Sequence, residues 1–413
     1  MGKKINYFLG LVSGVALAVI VWVAYGHLIE GRIAVGSPQY GASVAAEGEA
    51  SMDFEAISAK LYHIYRILES EFIGDFDLEL AIEMMFAGFV EAAGDPYTRY
   101  MDAAAFSNFR QEVDGTFIGI GVSVVVDPAD NRIMVIAPFE GSPAEEAGIV
   151  PGDKIIRVND FEVSGDILQE AINMIRGEAG TEVLITILRQ SDNTIHEFTI
   201  VREVIQVETV RSDILDDNIG YIRISQFDRV TFDQFSRAYD RLIGEGVEGL
   251  IIDVRNNPGG LLAIVNRITN LLVPEGIITF TENAHGARNY VRSDANHIQI
   301  PLVVLVNGNS ASASEILAGA VRDTGVGELL GTTTFGKGLV QNVFDLPDGS
   351  GVKVTIARYF TPAGICIHGE GIVPNHYVEM STELTNNLSR LSVEEDIQLQ
   401  EAINLVNEMI DNN

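Results

Sequence analysis

Cysteine is nearly absent from this chain, since Cys366 is the only one among 413 residues. A single cysteine excludes an intramolecular disulfide and a CxxC metal site. The seven histidines are scattered and form no HExxH-type pair, so the sequence gives no support to a zinc enzyme. Neither a metal nor a cofactor is expected.

Basic residues are also scarce. The chain has 27 Lys and Arg residues against 58 Asp and Glu residues, which gives a formal net charge of -31. A field of this sign repels nucleic acid and anionic lipid head groups, so no nucleic-acid partner is expected. The lysines are only Lys3, Lys4, Lys60, Lys154, Lys337 and Lys353. A function that needs a lysine side chain therefore has few candidates.

The first 30 residues predict a membrane anchor. From Phe8 to Gly26 the chain has 19 residues without a charge, close to the ~20 that a membrane-spanning helix needs. A cleaved signal peptide usually has a shorter apolar region, so an uncleaved single-pass anchor is favoured. Lys3 and Lys4 should keep the N-terminus in the cytoplasm and place the rest outside the cell membrane. Residues 31–52 are rich in Gly, Ala and Ser, which is typical of a flexible tether.

Helical periodicity marks both ends of the remaining chain. In the region 53–113 it predicts an amphipathic helix over 53–73 and a second helix over about 78–92. In the region 382–413 it places Leu399, Ala402 and Val406 on one helical face. These helices could pack on the body of the protein or on another subunit, as in a homodimer, and the sequence leaves both open.

Two regions of different character lie between these ends. Residues 114–204 are β-rich, with the strand-like runs GIGVSVVV and RIMVIAPF on either side of the turn signal DPADN. Residues 205–381 alternate strands with helices, and GLIIDVR and LVVLVN are typical of buried strands. This alternation predicts a mainly parallel sheet covered on both faces. The predicted fold class is mixed α/β.

Three serines lie where an α/β sheet displays nucleophiles. In VNGNSASASEILAGAVRD (306–323), Ser310, Ser312 and Ser314 follow a buried strand and precede a helix. Serines at this place are also ordinary helix caps, and Ser followed by Glu315 fits that alternative. The local sequence does not decide between them.

A lysine and a glycine turn complete the set of candidate catalytic groups. Lys337 lies between two glycines in TTTFGKGLVQ, and on an extended strand it would point to the same face as Gln341. Burial could lower the pKa of its amine enough for it to act as a base, although a surface lysine is the simpler alternative. In IIDVRNNPGGLL, backbone N–H groups near Pro258 could hold an oxyanion, or the segment is a plain strand-to-helix turn.

Together, SASASEILAGAVRD, GTTTFGKGLVQ and VRNNPGG, with GYIRISQF, GDPYTRYM and GIVPN, resemble the carboxyl-terminal processing proteases. The resemblance covers roughly residues 53–410. It implies a crotonase-like core with an inserted PDZ-like domain and flanking helices. It also implies a serine/lysine dyad.

Site residues follow from this resemblance position by position. The family's spacing of 25 residues between serine and lysine selects Ser312 as the nucleophile over Ser310 and Ser314, with Lys337 as the general base and Gln341 as its orienting partner. The oxyanion donors are expected to be the Ala313 amide and one amide of the pair Gly259 and Gly260, and which glycine donates stays open.

The β-rich region resembles a PDZ domain. Its carboxylate-binding loop is expected at Gly119, Ile120, Gly121 and Val122, whose amides would capture a chain terminus. In the family this domain gates the active site, and Arg176 is the candidate for coupling the two states. The expected partners are polypeptides with exposed C-terminal tails, from exported or membrane proteins.

Three other functions remain to be compared with this one. A PDZ-containing Ser/His/Asp protease needs a GxSxG-like elbow, which Ser312 lacks, and a suitable histidine. A non-catalytic PDZ scaffold would bind tails without turnover. A crotonase-type acyl-CoA enzyme would leave the PDZ-like region and Lys337 without a role.

Overall fold

The computed structural model describes residues 53–412. The predicted anchor (1–30) and tether (31–52) lie outside these described residues. Within residues 53–412, no helix is both long enough and apolar enough to cross a bilayer.

The helices and strands alternate through most of the chain. The helices are α1 Phe54–Glu71, α2 Leu78–Glu91, α3 Ala103–Asp114, α4 Pro143–Ala147, α5 Leu168–Ile175, α6 Thr231–Glu245, α7 Leu262–Asn270, α8 Ala313–Thr324, α9 Thr382–Asn386 and α10 Ile397–Asp411. The strands are β1 Arg99–Met101, β2 Thr116–Gly119, β3 Val122–Asp127, β4 Arg132–Pro138, β5 Lys154–Val158, β6 Phe161–Glu162, β7 Glu182–Arg189, β8 Thr194–Val201, β9 Glu203–Gln206, β10 Val210–Leu215, β11 Ile219–Ile224, β12 Gly249–Asp253, β13 Gly276–Asn283, β14 Arg288–Ser293, β15 Leu302–Val306, β16 Glu328–Gly331, β17 Leu339–Asp345, β18 Gly351–Phe360 and β19 His376–Tyr377.

The described part of the chain divides into a short first unit that ends at Phe76 and a second unit from Asp77 onward. The first unit contains α1, which confirms the predicted helix over 53–73. Asp53 caps α1 by accepting a hydrogen bond from the Ala56 N–H. No residue of α1 is buried, and Phe54 is 69% exposed.

A six-stranded sheet in the order β10-β11-β12-β15-β16-β19 forms the centre of the second unit. All neighbouring strands in it are parallel except β10 and β11. Every residue of β12 and β15 is buried, because helices cover both faces. Leu250 and Ile252 face the core formed with α6, α7 and α8, whereas Ile251 faces α10. The prediction of a mainly parallel sheet covered on both faces is confirmed.

A second, antiparallel sheet lies beside the central one. Its strands follow the order β1-β18-β13-β14, and β17 also pairs with β18. This sheet carries Gln341 on β17 and Tyr359 on β18, so it supplies one wall of the candidate site.

The β-rich region has its own sheet, ordered β3-β4-β5-β7-β8, and its own apolar core. Its entry and exit strands β2 and β9 pair with each other from Thr116–Gln206 to Gly119–Glu203, so the region is attached through a narrow two-stranded ribbon. The run GIGVSVVV is not one strand. It breaks at Gly121, which has a φ of +77° and approaches Ser142 closely, so that β2 and β3 belong to different sheets.

A buried ionic cluster fixes the segment after β12. The Arg255 guanidinium is 1% exposed and donates to the carboxylates of both Asp253 and Asp396 at 2.7 to 3.0 Å. Burial alone would raise the pKa of Asp253, but the Arg255 charge holds it below its usual value. Asp396 also caps α10 by accepting from the Leu399 N–H. The cluster therefore joins the C-terminal helix to the turn that contains Gly259 and Gly260.

Candidate active site

The three serines after β15 have different surroundings. The Ser310 hydroxyl donates to the Val254 carbonyl at 2.8 Å, and the Ser314 hydroxyl donates to the Asn257 carbonyl at 3.0 Å. Both side chains are fully buried, so they tie the start of α8 to the 254–257 turn. Ser312 is partly exposed and lines a cleft. Two of the candidate serines are thus structural, and Ser312 is the one that a substrate can reach.

The backbone of Ser312 has an unusual conformation. Its φ of 56° and ψ of -110° lie where a residue with a side chain is rarely found. The Ser312 N–H donates to the Glu315 carboxylate at 2.8 Å, and the Ser312 carbonyl accepts from the Tyr359 hydroxyl at 2.9 Å. Burial raises the pKa of Tyr359, so its hydroxyl remains a donor at neutral pH. These two bonds hold Ser312 in a strained geometry, which is a common feature of catalytic residues.

One buried carboxylate joins the serine and lysine segments. Glu315 is 0% exposed. Besides the Ser312 N–H, its oxygens accept from the Thr334 hydroxyl at 2.6 Å, the Gly336 N–H at 2.7 Å and the Lys337 N–H at 2.9 Å. We call this arrangement the Glu315 clasp. The expected helix-start chemistry at Glu315 is confirmed, since the bond from the Ser312 N–H belongs to a capping box at the start of α8. The other three bonds were not predicted, because Thr334, Gly336 and Lys337 lie 19 to 22 residues further along the chain.

Lys337 is not on a strand, so the expectation that one extended strand carries both Lys337 and Gln341 is wrong. Lys337 lies in the loop before β17, and the register with β18 shifts between Val340 and Gln341. Gly336 has a φ of +87°, which ends extended geometry at that point. The Glu315 clasp holds this loop instead, and both side chains line the same cleft.

The Lys337 amine occupies a half-buried position. Burial lowers its pKa, whereas the charges of Asp95 and Glu315 act in the opposite direction. The Nζ atom lies 4.6 Å from the centroid of the Tyr97 ring. Among the described residues it makes no hydrogen bond to Ser312 or Gln341, and the Gln341 amide donates instead to the Thr355 hydroxyl at 3.4 Å.

The two glycines of the NNPGG turn differ in the use of their amides. The Gly259 N–H donates to Asn257 Oδ1 at 2.8 Å, whereas no acceptor within residues 53–412 is found for the Gly260 or Ala313 N–H. Gly259 instead allows the turn to lie close to Ser312, because a Cβ on Gly259 would be only 2.9 Å from Ser312 Cβ. Gly260 and Ala313 both line the cleft. The geometry therefore favours Gly260 as the partner of Ala313.

The cleft has a volume of about 480 Å³ and is mainly apolar. Phe109, Leu261, Leu262, Ile316, Val340 and Ile356 contribute apolar side chains to its walls. An acidic pair, Glu112 and Asp228, lies at the same cleft. Burial raises the pKa of Asp228 to about 6, and the charge of Glu112 adds to this effect. A substrate would therefore meet apolar walls together with an acidic pair, in which burial raises the pKa of Asp228.

The predicted carboxylate-binding loop, residues 119–122, connects β2 to β3. The Gly121 carbonyl accepts from the Ser142 hydroxyl at 3.0 Å, and the Ile120 carbonyl accepts from the Ala144 N–H at 2.9 Å. These bonds anchor the loop to α4. The following strand β3 pairs only with β4, so its other edge is unpaired within the described residues. A peptide could add there as a further strand.

Arg176 directly follows α5 and lies near this loop. Its guanidinium is 5.8 Å from the centroid of the Phe117 ring on β2, and its Cγ is 4.0 Å from the position of a Cβ on Gly119. Neither Arg176 nor residues 119–122 line the cleft that contains Ser312. The tail-binding candidates and the catalytic candidates are therefore two separate sets of residues.

Comparison with known proteins gives consistent matches to both parts of the fold. The model of Peptidase family S41 matches residues 218–378, and a PDZ domain model matches residues 135–189. A carboxyl-terminal-processing protease of Synechocystis is 37% identical over 331 residues, which cover 79% of this chain and 76% of the relative. Carboxy-terminal processing protease CtpA of Bacillus subtilis is 34% identical over 376 residues, covering 91% and 77%.

Among solved structures, a putative S41 protease from Bacteroides fragilis has a TM-score of 0.52 at 16% sequence identity. The match covers 78% of this chain and 90% of that one. At this identity the likeness shows a shared fold.

The Glu315 clasp should be a major source of local stability. In Glu315→Gln, an amide NH₂ replaces one carboxylate oxygen and must face backbone N–H donors. Each donor left without an acceptor costs about 1–3 kcal/mol, so we expect at least that loss in the free energy of unfolding, measured by urea denaturation. Glu401→Gln, at an exposed position on α10, is the matched control and should change it by less than about 0.5 kcal/mol. Equal stability of the two variants would contradict the clasp.

Proposed function

Because the chain belongs to the carboxyl-terminal processing proteases, which are serine-type peptidases, we propose that it cleaves exported or membrane proteins recognised through their C-terminal tails. We further propose that Ser312 and Lys337 form its catalytic dyad. The observation that carries the dyad is the Glu315 clasp, since one carboxylate binds the backbone N–H groups of both residues at a single cleft.

The proposed mechanism is acyl transfer. Neutral Lys337 takes the proton of the Ser312 hydroxyl, and the oxygen attacks the peptide carbonyl carbon. The Ala313 and Gly260 amides stabilise the oxyanion that forms. The resulting ammonium returns its proton to the leaving amine as the peptide C–N bond breaks. Water, deprotonated by Lys337, then hydrolyses the acyl-enzyme and releases Ser312.

The surroundings of Lys337 support its role as a base. A lysine has an ordinary pKa of about 10.4, and burial lowers this value for Lys337. Activity requires the neutral amine, so it should rise with pH as Lys337 loses its proton. The amine lies over the Tyr97 ring and makes no hydrogen bond to the Ser312 hydroxyl, so we propose that the Lys337 side chain rotates toward Ser312 for catalysis. Gln341 lies in the same cleft and can then accept a hydrogen bond from the amine through its carbonyl oxygen.

The cleft and the PDZ region suggest how a substrate is chosen. The apolar cleft walls fit an apolar segment around the scissile bond. The unpaired edge of β3 and the amides of residues 119–122 provide the groups that bind an extended C-terminal tail in PDZ recognition. We propose that binding of a tail to the PDZ region activates the dyad. We also propose that Arg176, which lies beside the tail-binding loop, couples this binding to the active site.

A Ser/His/Asp mechanism has no suitable group here. Among the residues that line the cleft with Ser312 there is no histidine. A non-catalytic scaffold would use the same tail-binding groups without turnover, and the variants below distinguish it.

We expect Ser312→Ala and Lys337→Ala each to reduce cleavage of a protein with a flexible apolar C-terminal tail by at least about 10³-fold, because each removes one partner of the proton transfer. Tail-peptide binding should persist, as measured by fluorescence anisotropy. Lys60→Ala, at an exposed lysine of α1, serves as the control and should cleave normally. Normal cleavage by Lys337→Ala would exclude the dyad, and no turnover by the unmodified protein would favour the scaffold.

Tail-dependent activation should depend on Arg176. We expect Arg176→Ala to cleave tailed and tailless versions of one substrate at more similar rates than the unmodified protein does, while tail affinity changes little. Deletion of 115–204 should likewise alter regulation more than chemistry, because β2 and β9 bring the two ends of this region together. Arg132→Ala on β4 is the control. If Arg176→Ala leaves the ratio of tailed to tailless cleavage rates unchanged, Arg176 does not couple tail binding to the active site.

The proposal also includes a membrane anchor at residues 1–30 and a homodimer formed through the terminal helices. Exposed apolar side chains support the dimer, with Phe54 at 69% on α1 and Met84 and Phe89 at 65% on α2. The full chain should fractionate with membranes, and a variant without residues 1–30 should not. The truncated variant should sediment at twice its monomer mass. Membrane association of the truncated variant would contradict the anchor. Sedimentation at the monomer mass would contradict the dimer.

A further inference from the structure

The segment GDPYTRYM (94–101) forms a rigid turn against the sheet that carries Gln341. The Asp95 carboxylate accepts from the Thr98 hydroxyl at 2.6 Å and from the Tyr97 N–H at 3.3 Å. The Thr98 oxygen in turn accepts from the Thr355 N–H on β18 at 3.0 Å. Strand β1, which begins at Arg99, then pairs with β18. These bonds leave Tyr97 little freedom to move away from the sheet.

This turn brings an aromatic face and a carboxylate to the Lys337 amine. The amine nitrogen lies 4.6 Å from the centroid of the Tyr97 ring, which is cation–π distance. Asp95 and Glu315 are the acids whose charges act on Lys337. Lys353 is the other lysine that lines the cleft; burial lowers its pKa, and the charges of Arg99 and Lys337 add to this effect.

An aromatic face discriminates between the two protonation states of an amine. The ring quadrupole attracts the ammonium and has little attraction for the neutral amine. The ring therefore favours the charged form of a lysine held over it, and in this position the Lys337 amine makes no hydrogen bond to the Ser312 hydroxyl. Loss of its proton removes the attraction and releases the amine.

We propose that Tyr97 is a positioning residue that holds the Lys337 ammonium in a resting position and so sets the pH at which the base becomes available. This inference rests on the proposed role of Lys337 as the general base. Tyr97 is not among the residues that line the cleft with Ser312, and it acts through Lys337, which is. Removal of the ring should make the neutral amine more abundant at a given pH.

The size of the effect follows from the usual strength of a partly desolvated cation–π pair. Such a pair corresponds to about 0.5–1 pKa unit. In Tyr97→Leu the acidic limb of the pH profile of kcat/KM should therefore move to lower pH by that amount. Well below the pKa this equals a rate increase of about 3–10-fold. Tyr97→Phe keeps the ring and should keep the profile of the unmodified protein.

Tyr100→Leu is the matched control. Tyr100 belongs to the same segment, but its hydroxyl donates to Glu83 and its ring packs against Phe86. This variant should leave the acidic limb unchanged. A limb that stays fixed or moves to higher pH in Tyr97→Leu would overturn the inference, as would a uniform loss of activity with no change in the profile.

A second measurement does not depend on catalysis. In full-length Ser312→Ala, the pH dependence of Lys337 acetylation by acetic anhydride can be followed by peptide mass mapping, with and without Tyr97→Leu. The midpoint for Lys337 should fall in the double variant. If Lys337→Ala cleaves substrate normally, the base assignment fails; if it is inactive and the acetylation midpoint does not move, the role of Tyr97 alone fails.

Discussion

The geometry of the candidate active site depends on one buried carboxylate. A charge with no exposure is tolerated only when hydrogen bonds replace its lost hydration. Glu315 obtains four such bonds, one from the serine segment and three from Thr334, Gly336 and Lys337. Displacing either segment would leave the carboxylate short of donors. The two catalytic candidates therefore hold a fixed backbone separation, although they are 25 residues apart in sequence.

The backbone of the candidate active site is held by hydrogen bonds, whereas the Lys337 side chain is not. The hydroxyls of Ser310 and Ser314 tie the nucleophile segment to the 254–257 turn, and Asn257 in turn binds the Gly259 amide. The serine and the proposed oxyanion amides thus share one framework. The Lys337 amine, in contrast to this backbone, lies over the Tyr97 ring and makes no hydrogen bond to Ser312 or Gln341 among the described residues. In the proposed role of Tyr97, the resting and active states differ in the position of the Lys337 side chain.

The local hydrophobic pattern of the sequence was sufficient to predict the buried strands of the central sheet. GLIIDVR and LVVLVN predicted buried strands because parallel strands covered on both sides are continuously apolar. The helix over 53–73 followed from its helical periodicity, although none of its residues is buried. The antiparallel edge strand β10 left no such signal, because alternation of strands and helices does not specify the direction of an edge strand. The assignment of Ser312 and Lys337 as the proposed dyad came from resemblance to a family, since the three serines have similar local surroundings in the sequence.

Contacts between distant segments account for what the sequence did not show. The pattern of a serine followed three residues later by Glu315 fits a helix cap, and only the fold brings Thr334 to the same carboxylate. The loop at Lys337 was expected to be a strand because spacing alone cannot reveal that Gly336 turns the chain. The choice between Gly259 and Gly260 likewise depended on Asn257, whose side chain captures one of the two amides.

The buried cluster around Arg255 makes the turn at Gly260 depend on a segment that is far away in sequence. Asp396, which caps α10, lies 141 residues after Arg255. Without α10 in place, Arg255 would lack one of its two carboxylate partners, and the turn at Gly260 would lose this support. A substitution that loosens α10 would therefore act on the proposed oxyanion site although neither Asp396 nor Gln398 lines the cleft.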